Sequence, residues 1–292
     1  VKSHSAQPLR FLSLAESLNP PTPEAESGVI ETPGKLQAST KTQGTRRLAP
    51  RSETRIEDET VVVLHSYPYS ETSLILDVLS RQHGRVALIA KGAKRPRSAL
   101  RGVLSSFQPL SLSWSGRGEV RTLTKAEWLG GFTPLWGDAL LMGFYLNELL
   151  LKLLPRDDAH PELFDAYLAT LGQLNNSQAA TLALRRFERA LLAELGYAIH
   201  YTEDIYGNAV QPHAAYRIDP EAGAIPLQSA ESQGDALVVP GQVLLDLEHN
   251  HADTQDKLRT QQAKLVMRAL INHLLAGQPL NTRQILIDLQ KL

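Results

Sequence analysis

The chain has 292 residues, room for two domains of ordinary size, and its 42% hydrophobic and 21% charged side chains mark it as largely globular. It holds no cysteine, which excludes disulfides, a thiol nucleophile and thiolate metal sites. The net charge of −1 conceals an uneven spread: residues 1–59 are balanced, residues 60–130 carry net +6, and residues 131–292 carry net −7.

The sequence has no apolar run of membrane-spanning length, because its richest stretch, Ala139 to Leu154, is broken by Asn147, Glu148 and Lys152. The first residues lack the basic start, apolar centre and small-residue cleavage site of a secretory signal, so a cytoplasmic protein is expected. Residues 1–59 are rich in Ser, Thr, Pro, Glu and Gln, with Phe11 their only aromatic. So little apolar surface does not offset the entropy of ordering, and a disordered tail is expected there. Within it, Arg10 to Leu18 has the pattern of a short amphipathic helix.

From Thr60 the pattern changes to strands. "TVVVLHSY" is a β-branched run, and "SLILDVLS" follows after Tyr69, Ser70 and Glu71. Gln82-His83-Gly84 reads as a turn into "RVALIAKG". "PLSLSWS" from Pro109 and "EVRTLTKAEWL" from Glu119 alternate with period two around the glycine-rich turn Ser115 to Gly118. Five short strands with no long helix between them predict a small closed barrel over 60–131; the OB-fold, an SH3-like barrel and a small sandwich all read this way.

After Pro134 the period becomes helical. Helices are predicted over Asp138–Leu154, Pro161–Leu174, Ser177–Leu195 and Thr254–Leu275, with a last short one capped by Asn281. Ser177 is the expected N-cap of the third, and Gly196 its expected stop. Residues 197–240 read as an irregular insert with a hairpin around "YRIDPEAGAIPL". The fold class is therefore α+β: a barrel followed by a helical domain over 132–292.

The most distinctive segment is "AKGAKRPRSALRG", Ala90 to Gly102, where Lys91, Lys94, Arg95, Arg97 and Arg101 cluster with no acid among them. Placed after a strand and containing Gly92 and Pro96, it forms a basic loop able to track phosphates, each cation replacing a condensed counterion. Arg81, Arg85, Arg117, Arg121 and Lys125 could extend the patch, although a basic loop is also an ordinary solvated surface. Tyr67 and Tyr69, flanking Pro68 at a strand end, are candidates to stack bases, whereas Phe107 and Trp114 read as core.

Catalysis finds little in the sequence. There is no G-x-x-x-x-G-K-[ST] loop. His249 and His251 near Asp246 and Asp253 have metal-compatible spacing, which would suit a metal-dependent nuclease, but in a polar loop such histidines are usually unliganded, and no metal or other cofactor is expected. A protein-only adaptor without DNA contact is the other alternative. On the third and fourth helices, Arg185, Arg186, Phe187 and Arg189, and Lys257, Arg259, Lys264 and Arg268, could rim a groove for an acidic-hydrophobic peptide; plain helix amphipathicity explains the same pattern.

Taken in order, these segments resemble the RecO family of bacterial recombination mediators. The resemblance runs from Thr60 to Leu292. It rests on "VLHSYPYSETSLILDVLSRQHG" at 63–84, "AKGAKRPRSALRG" at 90–102 and "FQPLSLSWSGRGEVRTLTKAEW" at 107–128, then "YLNELLLKLL", "ELFDAYLATLGQL" and "FERALLAELGY" in the helical part. It implies an N-terminal OB-fold that binds single- and double-stranded DNA, with no catalytic activity. It also implies annealing of complementary strands, and a helical domain that receives the C-terminal tail of single-stranded DNA-binding protein, SSB. With RecR, such proteins help RecA load on SSB-coated DNA. The DNA contacts then fall to Lys91, Lys94, Arg95, Arg97 and Arg101, with Arg81 and Arg121 beside them, and the tail groove to Arg185, Arg189, Phe187, Lys264 and Arg268. Two departures stand out. Some members carry a four-cysteine zinc site in the segment matching 197–240, which this chain lacks. Asn281-Thr282 also stand where Lys-Ser is frequent, removing one positive charge.

Overall fold

The computed structural model describes residues 55–131, 133–227, 236–250, 256–282 and 284–285. The expected tail, with its amphipathic stretch at Arg10–Leu18, lies almost wholly outside them. Five strands close a barrel in the order β1-β2-β3-β5-β4: β1 Arg55–Pro68, β2 Leu74–Ser80, β3 Gly84–Ala90, β4 Pro109–Ser115 and β5 Val120–Trp128. Closure comes from parallel pairing of β3 with β5, Ala87 to Val120 through Ile89 to Thr122; every other pairing is antiparallel. The first strand starts at Arg55, earlier than the hydrophobic run suggests, because Arg55 and Ile56 pair with Ser115 and Trp114.

Residues 61–64 of β1 are buried on both faces, which is why this stretch reads as a continuous apolar run. Val61 and Val63 point into the barrel core with Leu88, Leu112 and Trp114, while Val62 and Leu64 join the core of the helical region. A one-turn helix, α1 Leu100–Val103, lies between β3 and β4 and packs Leu100 and Val103 against the barrel core beside Leu74 and Ala126. At four residues it is too short to show a helical period in the sequence.

The helical region contains α2 Asp138–Leu153, α3 Pro161–Leu171, α4 Ser177–Glu194, α5 Gly241–Glu248 and α6 Lys257–Leu274. The N-cap of α4 is Asn176 rather than Ser177: its side chain accepts from the Gln178 and Ala179 amides. Gly196 ends α4 as expected, at φ +78°, with the Tyr197 amide returning to the Leu192 carbonyl at 2.8 Å. The expected hairpin is β6 Ala215–Asp219 with β7 Gly223–Pro226, extended by β8 Val238–Pro240. With no cysteine present, the Asp204 carboxylate closes the preceding turn by accepting from the Tyr206 and Asn208 amides at 2.8 and 2.9 Å. Helix α5 escapes sequence reading because it is short and opens on Gly241, where a Cβ would fall 2.2 Å from the Gln211 carbonyl oxygen.

Barrel and helices share a seam. The Asp157 amide donates to the Arg85 carbonyl at 3.0 Å, drawing the α2–α3 loop onto the edge of β3. Gly84, at φ +63°, lies so close to the Asp158 carbonyl that any Cβ would overlap it. The buried Asp77 carboxylate pairs with Arg156 at 3.1 Å, and the Arg85 guanidinium donates to the Leu151 carbonyl.

Candidate nucleic-acid interface

The chain leaves β3 at Ala90 and enters the basic loop through Gly92, at φ +72°. A run of tight turns follows, with Arg95 bonded back to the Gly92 carbonyl, Ser98 to Arg95 and Arg101 to Ser98, at 3.0–3.2 Å. Ala93 is buried in the barrel core and pins the loop down. Lys94 ties it to the β1–β2 loop: its amide donates to the Thr72 carbonyl at 2.9 Å and its ammonium to the Ser70 carbonyl at 3.0 Å. Lys91, Lys94, Arg95, Arg97 and Arg101 are all exposed, and among the described residues none of them is ion-paired. Five cations on a turn-rich scaffold with no carboxylate partner form a surface that attracts polyanions.

The tethered loop also presents an aromatic ring. Tyr69, 61% exposed, sits in the β1–β2 loop beside the Ser70 carbonyl that Lys94 grips. Tyr67 is differently placed. It is half-buried, its ring centroid lies 4.3 Å from that of His65, and burial followed by the neighbouring Asp77 pushes its phenol up. Of the two rings, Tyr69 is the one left open to solvent. Phe107 and Trp114 are core residues, as their sequence context suggests.

Two cations grouped with the patch are instead bound into the seam. Arg81 makes a two-pronged contact with Asp165 of α3, at 3.0 and 2.9 Å, and Arg121 meets Asp157 at 2.7 Å. Lys125 lies between Asp58 and Glu127, each 3.0 Å away. A phosphate would have to displace a carboxylate at each of them, so the open cationic surface narrows to the 91–101 loop.

The groove expected on the helices is not assembled from the residues assigned to it. Phe187 is fully buried in the core. Arg185 meets the buried Glu188 carboxylate at 2.8 Å, which also accepts the Tyr145 hydroxyl at 2.7 Å. Arg189 donates to the Leu247 and Glu248 carbonyls and to the Glu248 carboxylate, capping the C-terminus of α5, and lies over the Tyr201 ring with its centroid 5.0 Å away. Lys264 is exposed and Arg268 half-buried on α6. Of the metal-spaced set, His251 and Asp253 lie outside the described residues. His249 Nδ1 lies 2.8 Å from the Leu245 carbonyl, and Asp246 meets Arg259 at 3.2 Å. Among the described residues no cluster of His, Asp and Glu could hold a metal.

Sequence reasoning missed two exposed indoles, Trp128 at the end of β5, 61% exposed, and Trp136 before α2, 72% exposed. Only the Gly130-Gly131 pair after Trp128 hints that the chain leaves the core there.

A closed five-strand barrel with a one-turn helix between its third and fourth strands, joined to a helical region and bearing a basic loop that is not ion-paired among the described residues, defines an OB-type protein with an exposed cationic surface. No helix among the described residues is long and apolar enough to cross a membrane. Residues 56–132 match the family model described as the N-terminal part of recombination protein O, and residues 137–278 match its C-terminal part. Proteins named DNA repair protein RecO are similar over most of the chain. The one from Burkholderia pseudomallei is 55% identical, covering 85% of this chain and 89% of its own. Those from Ralstonia nicotianae and Thiobacillus denitrificans are 53% and 49% identical, covering 84% and 85% of this chain and 89% and 98% of their own. The chain belongs to the recombination protein O family.

Proposed function

We propose that the chain acts in DNA repair and recombination as a mediator at the nucleoid that holds single- and double-stranded DNA and anneals complementary strands without catalysing a reaction. The observation that carries this reading is the loop of Lys91, Lys94, Arg95, Arg97 and Arg101, exposed, without a carboxylate partner among the described residues and tied through Lys94 to the loop bearing Tyr69. Contacts to phosphates leave base edges free, and screening the charge of two strands lowers the repulsion between complements. The barrel domain, residues 60–131, would handle DNA, and the helical domain, 132–292, would handle protein partners. There the SSB tail would dock near Lys264 and Arg268, because Arg185, Phe187 and Arg189 are held inside the fold. Docking raises the effective concentration of the barrel at coated strands, where RecR and RecA act.

The test is annealing of complementary SSB-coated strands by the wild type and by a Lys94→Ala, Arg95→Ala, Arg97→Ala variant, with circular dichroism to show that the variant is folded. Annealing by the wild type and not by the folded variant supports the reading. Equal annealing by both removes the loop from DNA handling.

A further inference from the structure

The basic loop crosses one end of the barrel, and both ends of its course are fixed. At its start Lys94 is tied to the β1–β2 loop through the Thr72 and Ser70 carbonyls, next to the exposed Tyr69. At its finish it runs into α1, which carries Arg101 and packs Leu100 and Val103 beside Ala126 of β5. Trp128 follows two residues later on the same strand. Leu112 pairs with Ala126 and Leu110 with Trp128, and both leucines are buried in the barrel core. Residues opposite one another in a ladder share a face, so the Trp128 side chain leaves β5 on the core side, at the rim where α1 sits. Glu127 is turned to the other face, where it meets Lys125 at 3.0 Å. The Nε1 edge of the Trp128 indole borders Gly131, where a Cβ would fall 3.3 Å from it, yet the residue stays 61% exposed. An indole left this open forfeits the burial that normally stabilises one.

We propose that Trp128 is a base-stacking ring for single-stranded DNA, at the opposite end of the basic loop from Tyr69. One strand would lie across the barrel end with its phosphates along Lys94, Arg95, Arg97 and Arg101 and its bases against the two rings. The proposal rests on the reading of the loop as the phosphate contact. An exposed aromatic ring continuous with a cationic surface is the combination that holds single strands without regard to sequence, because every base has a flat face to stack. That continuity favours a strand over a protein partner. In a duplex the base faces are already closed by their neighbours, so Trp128 acts on single strands alone.

The test is fluorescence anisotropy of a labelled oligonucleotide, single-stranded and duplex, on the full chain and on its Trp128→Ala and Trp128→Phe variants. Trp128→Ala should weaken single-strand binding by about fivefold or more, and Trp128→Phe, which keeps a ring, by much less. Neither should change duplex binding or the slope of log K against log[salt], since no phosphate contact is lost. The Lys94, Arg95, Arg97 triple alanine variant should instead lose affinity for both substrates. A second readout needs no alanine at the strand end. In Trp136→Phe the remaining indoles are the buried Trp114 and the exposed Trp128. Single-stranded DNA should quench the emission of that protein, and adding Trp128→Phe should remove the quenching. Unchanged single-strand binding in folded Trp128→Ala overturns the proposal, as does emission in Trp136→Phe that DNA leaves unaltered. Equal losses on single strands and duplex would mean that Trp128 props α1, and intact DNA binding with weakened binding to DNA-free SSB would give this face to a protein; either overturns it. A silent Trp128→Ala beside a weakened loop variant leaves the reading of the loop standing, whereas a loop variant that binds as tightly as wild type removes that reading and this strand path with it.

Discussion

The side-chain amide of Asn147, on α2, donates to the Leu64 carbonyl of β1 at 2.8 Å, a fully buried hydrogen bond from helix to barrel. The other end of the same amide accepts the Tyr167 hydroxyl of α3 at 2.5 Å. Burial pushes the Tyr167 phenol up, so it remains a donor. Asn147→Leu should therefore leave a carbonyl and a hydroxyl stranded, costing about 1–3 kcal/mol for the carbonyl alone. Tyr167→Phe, which strands only one acceptor lobe of Asn147, should cost about 1 kcal/mol. Urea unfolding with an unchanged m value measures both; a near-neutral Asn147→Leu would show that the seam does not depend on this bond.

The basic loop and the seam cations make opposite predictions for salt dependence. If the loop neutralises four to six phosphates, log K against log[salt] on single strands should slope by about −3 to −4, and the Lys94, Arg95, Arg97 triple alanine variant should flatten it by about 2. Arg81→Ala should leave the slope unchanged, because Arg81 is bonded to Asp165. Fluorescence anisotropy of a labelled oligonucleotide at several salt concentrations decides it. A slope that flattens in Arg81→Ala would return that arginine to the DNA surface.

Tyr69 gives a test of strand preference. It is exposed on a loop that Lys94 anchors, while Tyr67 is engaged with His65 and Asp77. Tyr69→Ala should weaken single-strand binding by about 1–3 kcal/mol and barely change duplex binding, where bases are already stacked. Equal losses on both substrates would mean that Tyr69 supports the loop rather than a base.

The barrel was legible in the sequence because its strands follow period two or run continuously apolar between turn residues, and the basic loop because five cations without an acid stand out in any conformation. Short elements were not, since neither the four residues of α1 nor the eight of α5 complete enough turns to show a period. Side-chain partnership was illegible for a different reason. Arg81 and Arg97 look alike in sequence, and only the fold brings Asp165 to the first. In the same way Phe187 and Arg189 share an amphipathic helix, but tertiary packing places one in the core and the other on the end of α5.

That role for Arg189 predicts a stability effect separate from partner binding. Arg189→Ala removes the donors to the Leu247 and Glu248 carbonyls and the contact over Tyr201, and should cost about 1–3 kcal/mol. Lys264→Ala, on the exposed face of α6, should stay within about 0.5 kcal/mol while weakening any SSB-tail peptide that docks there. Thermal unfolding and peptide titration on the two variants separate the roles. A stable Arg189→Ala that loses the peptide would place Arg189 in the groove after all.

The last prediction concerns Glu148 and acid. Burial alone would push its carboxyl up, but the Thr282 amide and hydroxyl, the Asn281 amide and the Lys152 ammonium together hold it below the usual carboxylate range. The bonds to Asn281 and Thr282, at 2.7–2.9 Å, cap the helical turn that begins at Asn281, so the cap comes from α2 rather than from Asn281 itself. A carboxylate whose value is lower when folded contributes stability that is fully present above the unfolded value and is lost as pH falls through the folded one. Glu148→Gln should therefore be about 1.5–3 kcal/mol less stable than wild type at pH 7. The gap should close as the pH drops below the ordinary glutamate range and wild-type Glu148 takes up its proton. Urea unfolding of both proteins across that range measures the gap. A gap that holds constant into acid would mean that shape, not charge, makes Glu148 the cap.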